Sequence, residues 1–314
     1  MNKVIILSVL LFIGSIGAFA QQDAQYTQYM FNSLVLNPAY AGSIDAISLT
    51  AIYRQQWVGM SGAPRTFSAS VHSPIVDKMG LGFFLENDVI GVHNRLSAYG
   101  SYAYHLPVTD EAKLSLGLSA GMLYYSSDWS KAPDILNPDD PQFSGTSSKV
   151  LPNFGVGAFF YSDHYYAGIS VPHLLATKMD DVDTTIAISK YDQHIFLTGG
   201  YVFELSPSLK MKPAVLLKMV PGKAPLEADL NLNFLINDAV GLGAAFHTGT
   251  GIAFLAQYFF NNGLRLGYAY DYNLNQLSGF NSGSHEVMLG WDIARKKSDK
   301  TPEEKEKVLS PRFF

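Results

Sequence analysis

Between Ile47 and Ile293 apolar side chains return at every second position, run after run, with small or polar residues between them. Successive side chains of a strand point to opposite faces, so each run reads as a strand with one apolar and one small or polar face. In the run from Leu114 to Met122, Leu114, Leu116, Leu118, Ala120 and Met122 share one face, and Ser115, Gly117, Ser119 and Gly121 share the other. The run from Leu226 to Ile236 is sharper: Leu226, Ala228, Leu230, Leu232, Phe234 and Ile236 oppose Glu227, Asp229, Asn231 and Asn233. A soluble sandwich buries the apolar face, whereas a transmembrane β-barrel turns it to lipid and keeps the polar face for its lumen. A single strand fits both.

The gaps separate the two. Alternation and turn chemistry predict strands at Ser48–Trp57, Thr66–His72, Met79–Val89, Asn94–Leu106, Lys113–Ser126, Asn153–Tyr161, Tyr165–Val171, Gln193–Leu205, Leu209–Val220, Leu226–Ile236, Ala239–His247, Ile252–Phe260, Leu264–Tyr272 and His285–Ile293. That is about 14, an even number as in bacterial single-chain barrels. The connections Ser73–Lys78, Pro107–Ala112, Ser162–His164, Ser206–Ser208, Asn237–Asp238 and Asn261–Gly263 are short and rich in Ser, Asn, Asp, Gly or Pro. Those in the alternate phase include Ser127–Pro152, Pro172–Asp192 and Asn273–Ser284, which are much longer. Short periplasmic turns facing long outer loops give this asymmetry, and it places both termini in the periplasm. A sandwich has no reason to phase its gaps. The predicted fold is an all-β transmembrane antiparallel β-barrel with an N-terminal plug-like segment.

Composition agrees. Charged residues make up 16% of the chain, against roughly 25% in soluble domains. The 18 Tyr and 20 Phe suit aromatic girdles at both membrane interfaces. The first residues, MNKVIILSVLLFIGSIGAFA, join basic Lys3 to an apolar stretch and the small-x-small triplet Ala18-Phe19-Ala20, a secretory signal peptide with cleavage between Ala20 and Gln21. With no cysteine there is neither a thiol for lipid attachment nor a disulfide. A formal charge of -5 gives no basic footprint for nucleic acid.

Strand-borne charge keeps one phase. Arg54, Lys210, Lys212, Lys218, Glu227, Asp229, Arg265, Asp271, Glu286 and Asp292 all fall on the lumenal face, as they must when a lipid-facing Lys or Arg costs roughly 2–4 kcal/mol at the midplane. They line a pore, bind a ligand, or pair with one another to stiffen the wall, with Lys218, Glu227, Asp229 and Arg265 one candidate network. Residues 21–46 are too aromatic for a linker and too short for a domain, so they fold into the lumen or across the periplasmic mouth. Residues 294–314 form a densely charged periplasmic tail ending in Phe313-Phe314.

Catalytic and cofactor motifs are absent: there is no Gly-x-Ser-x-Gly elbow, His-Glu-x-x-His, phosphate loop or cysteine site. Ser284-His285-Glu286 has the residues of a hydrolase triad, but His285 points to the opposite face of its strand from the other two. The sequence therefore predicts no catalysis, cofactor or metal.

The run QYTQYMFNSLVLNPAYAGS at Gln25–Ser43, followed by RQQWVGMSGAPRTFSASVHSP at Arg54–Pro74, resembles the opening of the PorP/SprF family, membrane proteins of type IX secretion and gliding. The resemblance continues through LSLGLSAG at Leu114–Gly121, YYAGISVPHLL at Tyr165–Leu175, KMKPAVLLK at Lys210–Lys218, GYAYDY at Gly267–Tyr272 and GSHEVMLGW at Gly283–Trp291. It places the opening motif on Gln28, Tyr29, Asn37, Pro38, Ala39, Tyr40 and Gly42, and the first hairpin on Arg54, Trp57, Gly59, Gly62, Pro64 and Thr66. Each is either architectural, with Trp57 an interface anchor, or a partner contact. The resemblance implies an outer-membrane barrel, in contact with outer-membrane lipids, that works with the C-terminal domain of a large surface adhesin, with periplasmic secretion components, or both. A different class stays open. A plug carrying Asn37-Pro38-Ala39 also resembles barrels that transport hydrophobic molecules, although such a barrel should line a continuous apolar path and these inward faces are mostly Ser, Gly, Asn and ions.

Overall fold

Alternation becomes architecture when each strand finds two neighbours, and here the ladder closes on itself. The computed structural model describes residues 25–131, 146–175, 177–178, 190–222 and 224–294. Its strands are β1 (Ala46–Gln55), β2 (Arg65–Val76), β3 (Met79–Ile90), β4 (His93–Pro107), β5 (Lys113–Asp128), β6 (Thr146–Tyr161), β7 (Tyr165–Val171), β8 (Thr177–Lys178), β9 (Lys190–Tyr191) and β10 (Ile195–Tyr201). They continue with β11 (Phe203–Ser206), β12 (Leu209–Met219), β13 (Glu227–Ile236), β14 (Val240–His247), β15 (Gly251–Phe259), β16 (Leu264–Asn273) and β17 (Ser284–Ala294). β8 and β9 pair only with each other. β10 and β11 are one wall strand interrupted at Val202, and both pair with β12. The result is a closed barrel of 14 antiparallel strands, sealed where β1 meets β17 from Ala46↔Ala294 to Gln55↔His285.

The connections sort into two mouths. Residues 77–78, 108–112, 162–164, 207–208, 237–239 and 260–263 turn at one end, called here the turn mouth. Residues 56–64, 91–92, 220–222, 224–226, 248–250 and 274–283 lie at the other, the loop mouth, together with residues 129–131, 172–175 and 192–194. Gap length is thus less uniform than the sequence suggests, because Gly91-Val92 and residues 248–250 are tight turns in the long set.

Several strand limits depart from expectation, and β2 runs on to Val76, through most of the connection Ser73–Lys78 expected after His72. β1 stops at Gln55, before Trp57, whose backbone takes a left-handed φ of 46° in the following loop. β6 begins at Thr146, earlier than Asn153, and pairs with β5 along its full length although Pro152 lies inside it. Proline is tolerated because its nitrogen faces the side on which the Phe154 carbonyl leaves the β5 ladder to bond Leu174, and β7 pairs with β6 only from Val156 to Tyr161. The predicted leader and tail lie outside the described residues.

The lipid-facing phase is as predicted: Leu116, Leu118, Met122, Leu230, Val287, Leu289 and Trp291 are exposed, and Ser115, Ser119, Asp229, Asn231 and Asn233 are buried. No described helix is long and apolar enough to cross a membrane, and the crossing elements are strands. The interior differs from a purely polar lumen. Ile52, Phe196, Leu216, Leu235, Leu255, Phe259 and Met288 point inward and join Tyr26, Tyr29, Met30, Phe31 and Leu36 in one apolar cluster. A second cluster joins Leu34, Ala39, Tyr40 and Ile44 to Ala103, Phe159 and Tyr161. The core of this barrel is therefore inside it.

Candidate functional site

Residues 25–43 lie against inward side chains from strands all around the wall. Three single-turn 3-10 helices, Tyr29–Phe31, Ser33–Val35 and Pro38–Tyr40, keep this segment compact. Asn37 starts the third. Its extended backbone suits the residue before a proline, and its Oδ1 accepts from the Ala39 N–H at 2.9 Å. The same side chain donates through Nδ2 to the carbonyls of Ala158 at 3.0 Å and Ile169 at 3.4 Å, on β6 and β7. Space for this comes from missing side chains: a Cβ on Gly157 would stand 2.1 Å from Asn37 Oδ1, and one on Gly117 2.1 Å from the Ala39 nitrogen. The predicted Asn37, Pro38 and Ala39 thus fill a slot cut by inward glycines.

Beyond the slot, Tyr40 meets His72 and Phe159 edge-on at 5.2 and 5.4 Å between ring centroids. Gly42, at φ 72°, turns the chain toward β1 and donates its N–H to His72 Nδ1 at 3.2 Å. His105 spans the segment and the wall, its Nε2 3.0 Å from the Ala41 carbonyl and its Nδ1 2.9 Å from the Tyr161 hydroxyl. Phe31 lies under the ammonium of fully buried Lys212 at 5.3 Å, a cation–π contact in a dry setting. Asn231 donates to the Tyr29 hydroxyl at 3.0 Å and Asn233 to the Met30 sulfur at 3.2 Å.

Charge gathers in four places. Arg54 bridges Asp271 at 2.5 Å and Glu286 at 3.0 Å, and Glu286 is completely buried. One cation for two carboxylates leaves a deficit that the N-terminal segment makes up. The N–H groups of Thr27 and Gln28 donate to the two Glu286 oxygens at 2.9 and 2.8 Å, and the Thr27 hydroxyl donates to Asp271 at 2.7 Å. Across the lumen Glu86 and Arg95 pair at 3.1 Å, with Asp88 3.7 Å from Arg95, and Tyr26 donates to Glu86 at 2.6 Å. The third group is Asp229 with Lys218 at 2.7 Å and His247 at 2.8 Å. The fourth is Arg265 with Asp292 at 3.0 Å, which also accepts from Ser48 at 2.6 Å.

The proposed single network of Lys218, Glu227, Asp229 and Arg265 is therefore incorrect: Arg265 belongs to a cluster near the turn mouth, and Glu227 receives the Gln25 side chain at 3.4 Å. Register separates them, since Arg265 faces Gly290 on β17 while Asp229 faces His247 on β14. Lys210 reaches the turn residue Asp238 at 2.5 Å. Glu86, Asp88 and Arg95 went unread in the sequence, although their even or odd positions put them in phase with inward Ser97 and Phe84. The first-hairpin residues Trp57, Gly59, Gly62 and Pro64 sit in the loop 56–64, where the Trp57 N–H donates to Ser284 Oγ at 3.2 Å and the Gly62 carbonyl accepts from the Gly91 N–H at 2.9 Å. Thr66 instead points inward and donates to Asp88 at 2.7 Å. Between the start of the segment and β10, β12 and β13 a small cavity of ≈ 30 Å³ is lined by Tyr26, Leu36, Phe196, Leu216, Lys218 and Glu227 among others. Among the described residues no three His, Asp or Glu side chains converge as metal ligands.

The sequence from residue 18 to 291 matches the family described as Type IX secretion system membrane protein PorP/SprF. The chain belongs to the PorP/SprF family. No curated protein matches it. Solved barrels share the fold alone. The monoaromatic hydrocarbon channel TodX, as a deletion mutant, is 10% identical over 84% of this chain and 94% of its own, with a TM-score of 0.50. The toluene transporter TbuX of Ralstonia pickettii is 10% identical over 83% and 93%, also at 0.50. Omp33 of Acinetobacter baumannii is 8% identical over 80% and 99%, at 0.45. A PorP/SprF chain in a barrel of this kind is an outer-membrane component of type IX secretion, and neither family nor fold is that of a known enzyme class.

Proposed function

We propose that this PorP/SprF barrel is a noncatalytic partner in type IX secretion, with residues 25–43 as a built-in plug. In this reading it supports secretion or surface attachment of a large adhesin through that adhesin's C-terminal domain, or links to the periplasmic motor ring, and uses no cofactor. Cleavage after Ala20 removes the leader, the turn mouth faces the periplasm, and residues 294–314 form a periplasmic tail. The observation that supports the plug most directly is the pair of N–H groups from Thr27 and Gln28 on Glu286. A segment that completes the bonding of a fully buried carboxylate is part of the wall's own structure, and a permanently filled lumen suits a docking protein better than a pore. Deleting residues 21–36 behind an intact leader should abolish adhesin display or secretion and leave uptake of hydrophobic compounds unchanged, with insertion confirmed by heat-modifiable gel migration.

The apolar lining of the small cavity beside Tyr26 and Phe196 is what favours a second reading, a transporter of small hydrophobic molecules whose plug would have to move to open the lumen. Lost uptake with normal display in the same deletion would establish that reading in place of the first.

A further inference from the structure

The N-terminal segment crosses the barrel from one mouth to the other. Its later part sits by the turn mouth: Gly42 bonds His72, and Ala41 accepts from His105, whose own N–H reaches Lys78 in the turn 77–78. Ser43 then leads into β1 at Ala46, which lies across from Ala294 at that same end. Its first described residue is at the opposite end. Gln25 donates to Glu227, the first residue of β13, and lines the cavity with Val220, Ala224 and Pro225 of the loop-mouth connection 220–226. Tyr26 bonds Glu86 and Thr27 bonds Glu286, both in the loop-mouth halves of their strands.

We infer that the processed N-terminus opens at the loop mouth, on the opposite side of the membrane from the C-terminal end, so that the two ends of the mature chain do not share a compartment. Only residues 21–24 separate the predicted cleavage site from Gln25. Four residues reach at most roughly 14 Å. β13 alone runs from Glu227 at the loop mouth to Ile236 at the turn mouth, roughly 33 Å along its axis. The end cannot return to the turn mouth while Tyr26 and Thr27 hold their bonds. With the turn mouth in the periplasm, this departs from the expectation of two periplasmic termini: the barrel offers the cell surface a free polypeptide end, anchored inside by buried carboxylates and joined covalently to the wall at the periplasmic side. The outward sense rests on the orientation proposed above; the shared side of Gln25 and the loop mouth does not.

The chain has no cysteine, which makes the test direct. Single cysteines at Gln22→Cys, Ser278→Cys in the loop-mouth connection and Asp110→Cys in a turn-mouth connection are reacted with a membrane-impermeant maleimide in intact and in lysed cells. A ten-residue epitope inserted between Gln22 and Asp23 repeats the measurement with a reporter clear of the lumen. Gln22→Cys and the epitope should follow Ser278→Cys, with signal in intact cells that lysis does not raise, while Asp110→Cys reacts only after lysis. If Asp110→Cys reacts in intact cells and Ser278→Cys does not, the orientation is reversed, and the inference still requires Gln22→Cys to follow Ser278→Cys. Reporters at the N-terminus that follow Asp110→Cys, or that stay silent in native lysed membranes while present on a denaturing blot, overturn it.

Discussion

At the residue scale, the interior is held by groups that tolerate no substitute of a different shape or charge. Gly157→Ala puts a Cβ 2.1 Å from Asn37 Oδ1, with backbone behind it, so Asn37 must give up its bonds to Ala158 and Ile169. The expected cost is about 1–3 kcal/mol, read as a lower midpoint in thermal gel-shift or urea unfolding of the detergent-purified barrel. Pairing it with Asn37→Ala should recover part of that loss, and strictly additive costs would show that the two residues do not meet. Arg54→Met leaves Asp271 and Glu286 buried without their counter-charge, at about 3–5 kcal/mol. Adding Asp271→Asn should bring stability back toward the parent; if Arg54→Met alone leaves unfolding unchanged, the cluster is hydrated and the argument for Glu286 fails. The inward charges were legible from parity, but their partners were not. Parity fixes a face, whereas pairing depends on which strands become neighbours and at what register, so Arg265 finds Asp292 rather than Asp229.

Among the elements, β6 shows where pattern reading stops. Pro152 looks like a strand breaker, yet the strand runs through it because that nitrogen is on the side where no β7 partner stands among the described residues. Val150 lies in the same phase and Leu151 in the opposite one, toward Leu123 of β5. Val150→Pro should therefore fold and insert with near-parent gel migration, whereas Leu151→Pro removes a ladder hydrogen bond and its buried side chain, weakening the β5–β6 hairpin by at least about 1–3 kcal/mol. Protease susceptibility near residues 129–145 in proteoliposomes would read the difference, and equal behaviour of the two variants would mean that β6 has a second partner there. The strand limits elsewhere were legible because turns such as residues 237–239 and 260–263 carry Asn, Asp and Gly where the backbone needs left-handed φ: Asn237, Asp238 and Gly263 all adopt it.

For the whole molecule, the hydrophobic phase along the chain determined a closed membrane barrel: an apolar face on every strand needs lipid, and an even number of antiparallel strands leaves no edge unpaired once β1 meets β17. Heat-modifiable migration with a strand-dominated far-UV spectrum checks this, and a helical spectrum would refute it. The family was legible in the sequence as well, the match running from residue 18 to 291, and the opening residues from Gln28 to Gly42 are ones the wall is shaped to receive. What the sequence could not state is that the barrel has its core inside. Inward Ile52, Leu216, Phe259 and Met288 break the polar pattern of the lumen face one residue at a time, and only their convergence on Tyr29, Met30 and Phe31 makes them a cluster. The direction in which residues 25–43 run through the lumen was equally hidden. Alternation is a local property fixed by the two-residue repeat of a strand, but where an irregular segment lies depends on buried partners far apart in the chain, Glu86, Glu227 and Glu286 at one end and His72 and His105 at the other, and the closed barrel alone brings those to opposite mouths.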